Sequence, residues 1–134
     1  MSTLSEFKRS FKGDIVTPDD QGYSEAIARW AVNAERPAGV VAFVKDANDV
    51  ALALEYARTN DLQIAIRCGG HSPSGASSTN GGLVIYLSRY FNYAVVDPDK
   101  RTARVGAGPL GLRRKGSYSA RIGFCSRDCQ PCTR

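Results

Sequence analysis

The residues Arg67-Cys68-Gly69-Gly70-His71-Ser72-Pro73-Ser74-Gly75-Ala76-Ser77-Ser78 bring together side chains and backbone suited to holding an anion. Two adjacent glycines, Gly69 and Gly70, let the chain take positive φ and approach a ligand with no Cβ in the way. Successive backbone N–H groups in such a turn form a concave nest that fits a phosphate or pyrophosphate. Ser72, Ser74, Ser77 and Ser78 add hydroxyl donors, and Arg67 adds a charged fork able to make a bidentate contact. His71 is the single histidine of the chain. Cys68 reads as a partly buried free thiol that packs as a small hydrophobe. Any surface turn can be rich in glycine and serine, so the meaning of this stretch depends on the elements that carry it.

Those elements read as a small α+β unit. Leu4 to Phe11 forms a helix or loose segment, and a second helical stretch follows, with Asp19 or Asp20 placed to cap it and Ile27, Trp30 and Ala31 spaced for one buried face. Trp30 is accordingly expected in the core. After Arg36-Pro37-Ala38-Gly39 the period changes, and Val40 to Val44 form a β-branched and aromatic run typical of a strand buried on both faces. Asp46 or Asn48 can cap a helix in which Val50, Ala53, Leu54 and Ala57 share one face, ending near Asn60. Leu62 to Ile66 is a second apolar strand, so strand, helix and strand make a parallel, right-handed βαβ unit. The glycine–serine stretch then sits at the carboxyl end of that second strand, where ligands of such units gather. Gly81-Gly82 leads into another strand over Leu83 to Leu87, and Tyr93 to Val96 and Thr102 to Val105 flank the turn Asp97-Pro98-Asp99-Lys100 as a hairpin. Gly106-Ala107-Gly108 ends it.

The 134 residues, 43% hydrophobic and 23% charged, have the balance of one globular domain and exclude a disordered chain. No apolar run approaches the length of a membrane span, and the N-terminal MSTLSEFKRSFKGD carries no secretory signal, so a cytoplasmic chain without a membrane partner is expected. The net charge of +5 is confined to one end. Residues 1–108 hold twelve basic and twelve acidic side chains, whereas residues 109–134 hold Arg113, Arg114, Lys115, Arg121, Arg127 and Arg134 against Asp128 alone. Cys125, Cys129 and Cys132 share that tail with the spacing of an iron–sulfur site in radical enzymes, but only Thr133 and Arg134 follow them, and a zinc site would lack a fourth ligand. Arg113-Arg114-Lys115 is a single short cluster with little aromatic interleaving, which argues against a nucleic-acid partner.

In order and detail, residues from about Arg36 to Gly108 resemble the PCMH-type FAD-binding domain of the vanillyl-alcohol oxidase and berberine-bridge-like oxidases. The resemblance rests on Arg67-Cys68-Gly69-Gly70-His71-Ser72, on Leu83 to Arg89, on Val96-Asp97-Pro98 and on Val105 to Gly108. One departure is Tyr86, where many relatives carry an acidic residue. The resemblance implies a βαβ-containing first subdomain of that domain, truncated, with a helical lead-in over 1–35, the domain's first part over 36–108 and a divergent basic tail over 109–134. It implies FAD as cofactor and a small organic substrate for the intact relative. Arg67, Cys68, Gly69, Gly70, His71, Ser72, Gly75, Ser77 and Ser78 would contact the cofactor, with the loop on its pyrophosphate and His71 as the point of flavin attachment. Relatives with a second flavin link place that cysteine far beyond Cys68.

The family's next element, a stretch ending Gly-Thr-Val-Asn-His, is missing after Gly108. Codons permitted for Ser119 to Ile122, read one nucleotide later, allow Gln-His-Gly-Leu, and those for Arg127 to Cys132 allow Gly-Thr-Val-Asn-His followed by Ala or Val. The tail is therefore expected to be out of frame. Weak or no FAD binding and no turnover are expected of this chain by itself. The competing expectation is a non-catalytic α+β module whose basic tail is a candidate metal site.

Overall fold

The structure, a computed structural model, describes residues 3–108. The segment 109–134, with its cysteines, its basic cluster and the proposed change of frame, lies outside the described residues. The elements follow the order α1 (Leu4–Ser10), β1 (Asp14–Val16), α2 (Tyr23–Ile27), a 3-10 turn (Val32–Ala34), β2 (Val40–Phe43), α3 (Ala47–Thr59), β3 (Ile64–Arg67), β4 (Leu83–Tyr86), β5 (Ala94–Asp97) and β6 (Thr102–Val105). Four strands form one sheet in the order β1-β2-β4-β3, and β5 and β6 pair as a separate antiparallel hairpin.

β2, β4 and β3 run parallel, with Val41 and Ala65 both opposite Val84, and β1 adds an antiparallel edge against β2. The strand–helix–strand unit is present, yet its two strands are not neighbours, because β4 inserts between them. That arrangement decides where function can lie. Adjacent parallel strands need a crossover of about a dozen residues or more. Between β3 and β4 that crossover is not a helix but the segment 68–82, the glycine–serine stretch itself.

Both sheet faces are covered near β2. On one side Val40, Ala42, Val44, Leu83 and Ile85 pack with Phe7, Phe11, Ala53, Tyr56 and Ala57 from α1 and α3. Phe7 stacks on Tyr56 with ring centroids 4.3 Å apart, a pairing worth about 1 kcal/mol beyond its buried area. On the other side Val41, Phe43, Val84 and Ala65 meet Ala26 and Ala38. The lead-in is thus not wholly helical, since β1 belongs to the sheet.

Several sequence expectations need correction. Trp30 is 68% exposed, so it is not a core residue, and Ala26 is the buried residue of the short α2. Neither Asp19 nor Asp20 caps α2, whose N-cap is Gly22 at φ +86. Asp20 instead accepts from the Thr17 amide and hydroxyl at 2.9 and 2.8 Å. Asp46 does cap α3, accepting from the Asp49 amide at 3.0 Å. On α3, Leu54 is exposed and Tyr56 takes its place in the core. β3 starts at Ile64 rather than Leu62, and Ile64 and Ile66 are exposed, because β3 is the sheet edge and α3 packs over β2 and β4.

β1 is tied to the segment after β4 at Asp14, whose carboxylate accepts from the Tyr90 hydroxyl at 2.7 Å and from Arg89 at 2.8 Å. These two bonds, Tyr90 first, hold the Asp14 carboxyl below its usual 3.8. A carboxyl depressed in the folded state adds stability above its unfolded pKa and loses it as pH falls through the folded value. Asp14→Asn should therefore be less stable than the parent at about pH 6, with the gap narrowing as the pH falls below the ordinary carboxyl value of 3.8. The gap should stay under about 1 kcal/mol, because the pair is half-exposed. Urea unfolding at about pH 6 and at a pH well below 3.8 measures it, and an equal gap at both would contradict the assignment.

Candidate functional site

The site is built where β3 ends. Of the two adjacent glycines, Gly70 takes positive φ, +67°, and Gly69 does not. Gly75, at φ +79°, makes the second left-handed turn of the loop. A Cβ on Gly70 would lie 3.0 Å from Cδ of Arg29 and 3.3 Å from Nε of Arg67. Glycine is thus required here by conformation and by close packing together.

Arg67 does not extend as a free fork. It is buried, its Nη1 donates to the Ala26 carbonyl, and its guanidinium lies over the Tyr86 ring at 4.1 Å. At the position of the Tyr86 departure, an aromatic face, itself packed on Phe43 at 4.8 Å, accompanies the buried cation. Burial lowers the Arg67 pKa below the ordinary guanidinium value.

Sequence reasoning missed Arg29 altogether. It is as buried as Arg67, at 7% exposure. Its Nη1 donates to the carbonyls of Ile27 and Ala28 at 2.7 and 3.1 Å, and its Nη2 to the Ser77 carbonyl at 2.7 Å. Burial first, and then the charge of Arg67, push its pKa down to about 10. A third guanidinium, Arg36, lies against Gly75. None of the three forms an ion pair with any described residue, so positive charge gathers around this loop without a carboxylate partner in contact. Nothing in a single sequence distinguishes a buried arginine from a solvated one, which is why Arg29 escaped notice.

The remaining loop residues fall around these cations. His71 is exposed at the start of the turn and makes no hydrogen bond with a described residue. The hydroxyls of Ser72 and Ser74 bond each other at 2.9 Å. Cys68 is a half-buried free thiol that donates to the Ala107 carbonyl at 2.7 Å, joining the loop to the end of the β5–β6 hairpin. Ser77 Oγ, Ser78 Oγ and the Nε atoms of Arg29 and Arg67 are buried without a partner. Unpartnered buried donors are costly and rare. A neighbouring cleft of about 290 Å³ opens at the carboxyl ends of β2 and β4, between α2 and the side chains of Phe43, Tyr86 and Arg89.

Residues 37–111 match the family model described as "FAD binding domain". The chain belongs to this family. It is a PCMH-type FAD-linked oxidoreductase sequence with FAD as its cofactor and the α+β fold of that domain. Among curated relatives it is 32% identical to the (R)-6-hydroxynicotine oxidase of Paenarthrobacter nicotinovorans, over 93% of this chain and 30% of that protein. It is 38% identical to an FAD-linked oxidoreductase of Bacillus subtilis, over 75% of this chain and 22% of the other. The chain therefore spans less than a third of the length of these relatives. Among solved structures, 6-hydroxy-D-nicotine oxidase from Arthrobacter nicotinovorans superposes with a TM-score of 0.74 at 31% identity, covering 81% of this chain and 23% of that one. The berberine-bridge-like protein BBE-like 1 of Physcomitrella patens gives 0.71 at 24% identity over 80% of this chain, 23% of its own, a likeness of fold. The family match does not favour the non-catalytic module with a basic tail. No group of His, Cys, Asp and Glu able to hold a metal occurs among the described residues. No described helix is long and apolar enough to cross a membrane.

Proposed function

We propose that the loop from Arg67 to Ser78 seats the pyrophosphate of FAD and that His71 is the point of flavin attachment, in a protein that oxidises a small organic substrate. The observation that carries this reading is a loop with left-handed Gly70 and Gly75, ringed by the guanidiniums of Arg29, Arg36 and Arg67, none of which has a carboxylate partner among the described residues. A pyrophosphate supplies the negative charge that this arrangement lacks. Gly70 and Gly75 let the backbone close on the anion, the amides and serine hydroxyls from Gly69 to Ser78 bind it, and Arg67 anchors the strand end from which the loop departs. Exposed on that loop, the His71 imidazole is free to meet the flavin ring. When bound, FAD serves as the hydride acceptor, while the protein contributes orientation and electrostatics. The relative named (R)-6-hydroxynicotine oxidase supports an oxidase acting on a small molecule.

The test is to express the protein from its native gene, precipitate it with acid and look for yellow colour. A yellow pellet is expected where the rest of the FAD-binding domain is encoded with these residues, whereas residues 1–134 by themselves should bind FAD weakly or not at all. Colour released to the supernatant would keep the pyrophosphate seat and remove the attachment at His71. A colourless protein that takes up no FAD would overturn both, and would return the non-catalytic module to consideration.

A further inference from the structure

The glycine-rich loop has few bonds of its own. Apart from the Ser72–Ser74 hydroxyl contact, it is closed by Gly75 N–H to the Ser72 carbonyl at 3.4 Å and Ser78 N–H to the Gly75 carbonyl at 2.9 Å. Its two shoulders, Gly70 and Ser77, are instead held from outside by one dipeptide. The Arg29 fork donates to the Ser77 carbonyl, the Arg29 stem packs where a Gly70 side chain would lie, and the Trp30 amide donates to the Gly70 carbonyl at 3.4 Å. The other arm of the same fork is fixed on Ile27 and Ala28 at the end of α2. His71, Ser72 and Gly75 lie between the two shoulders.

We infer that Arg29 is a positioning residue: it clasps Gly70 and Ser77 at a fixed spacing and so presents the loop in its ligand-binding shape. The inference deepens the pyrophosphate reading and rests on it for the identity of the ligand. Geometry, not charge alone, makes the residue necessary. A guanidinium directs donors from one rigid plane in two directions at once, which a lysine ammonium does not.

The experiment compares amide hydrogen exchange of the full chain, without cofactor, in the parent, Arg29→Lys and Arg29→Gln, and then measures FAD affinity in each. Exchange within residues 69–79 should rise about tenfold in both variants, the equivalent of losing one hydrogen bond to a charged group. Amides of β2 and β4 should stay at parental rates, and FAD affinity should fall about tenfold. Unchanged loop exchange would overturn the inference. So would parental behaviour of Arg29→Lys, which would mean that charge suffices, or a uniform rise through β2 and β4, which would mean general packing. Because this chain by itself is expected to bind FAD weakly or not at all, inorganic pyrophosphate is the second probe; if the parent binds neither, the pyrophosphate reading fails, and the exchange data still decide whether Arg29 clasps the loop.

Discussion

Asp49→Asn should destabilise the chain by about 3 kcal/mol, a large share of a typical total of about 5–15 kcal/mol. Asp49 is fully buried in the first turn of α3. Its Oδ1 accepts from the Lys12 amide at 2.9 Å, and its Oδ2 accepts from the amides of Gly13 and Lys45 at 3.0 and 2.9 Å. One carboxylate thus satisfies three backbone donors from two chain segments, the link between α1 and β1 and the link between β2 and α3. Asparagine has one acceptor oxygen, and its NH2 group would face backbone N–H groups whichever way the amide turned. At least one donor is left dry, and each such orphan costs roughly 1–3 kcal/mol. Urea unfolding followed by circular dichroism should show a lower midpoint with an unchanged slope, the sign of lost stability rather than altered compactness. A parental midpoint would mean that water or local relaxation satisfies the freed amides.

Asp49 also shows what a single sequence carries and what it does not. β2, the Asp46 cap of α3, β4 and the β5–β6 hairpin follow from hydrophobic period, capping and turn residues, all of which act over a few positions. The insertion of β4 between β2 and β3 is a long-range choice that no local pattern encodes. The same holds for buried charge. Asp49, on α3, and Arg29, just past the end of α2, look like ordinary polar residues, and their burial depends on partners 36 and 48 residues away. Trp30 errs in the opposite direction. Its helical spacing suggested a buried face, but α2 ends at Ile27, before the period can bring Trp30 inward. For the candidate site, the loop's place at a strand's carboxyl end was legible because the flanking apolar runs are strong. The orientation of Arg67 was not, since composition says nothing about whether a guanidinium faces solvent or lies on the ring of Tyr86.

That distinction between a buried and an exposed loop residue separates two substitutions that the motif alone would treat alike. On the flavin-attachment reading, His71→Ala should abolish acid-stable flavin while leaving the fold intact. The imidazole is exposed and bonds no described residue, so its removal should change stability by no more than about 0.5 kcal/mol. Arg67→Ala should do the reverse in the thermal scan. It removes a buried side chain, its bond to the Ala26 carbonyl and its contact with the Tyr86 ring, where a desolvated cation–π contact alone is worth about 2 kcal/mol. Its flavin content should fall together with its melting temperature, because the strand end that launches the loop is no longer anchored. Visible absorbance of the acid pellet, set beside the melting temperature for each variant, gives the two opposite patterns. Acid-stable colour persisting in His71→Ala would move the attachment to another residue. A collapsed melting temperature in that variant would instead show that the exposed imidazole has a structural partner.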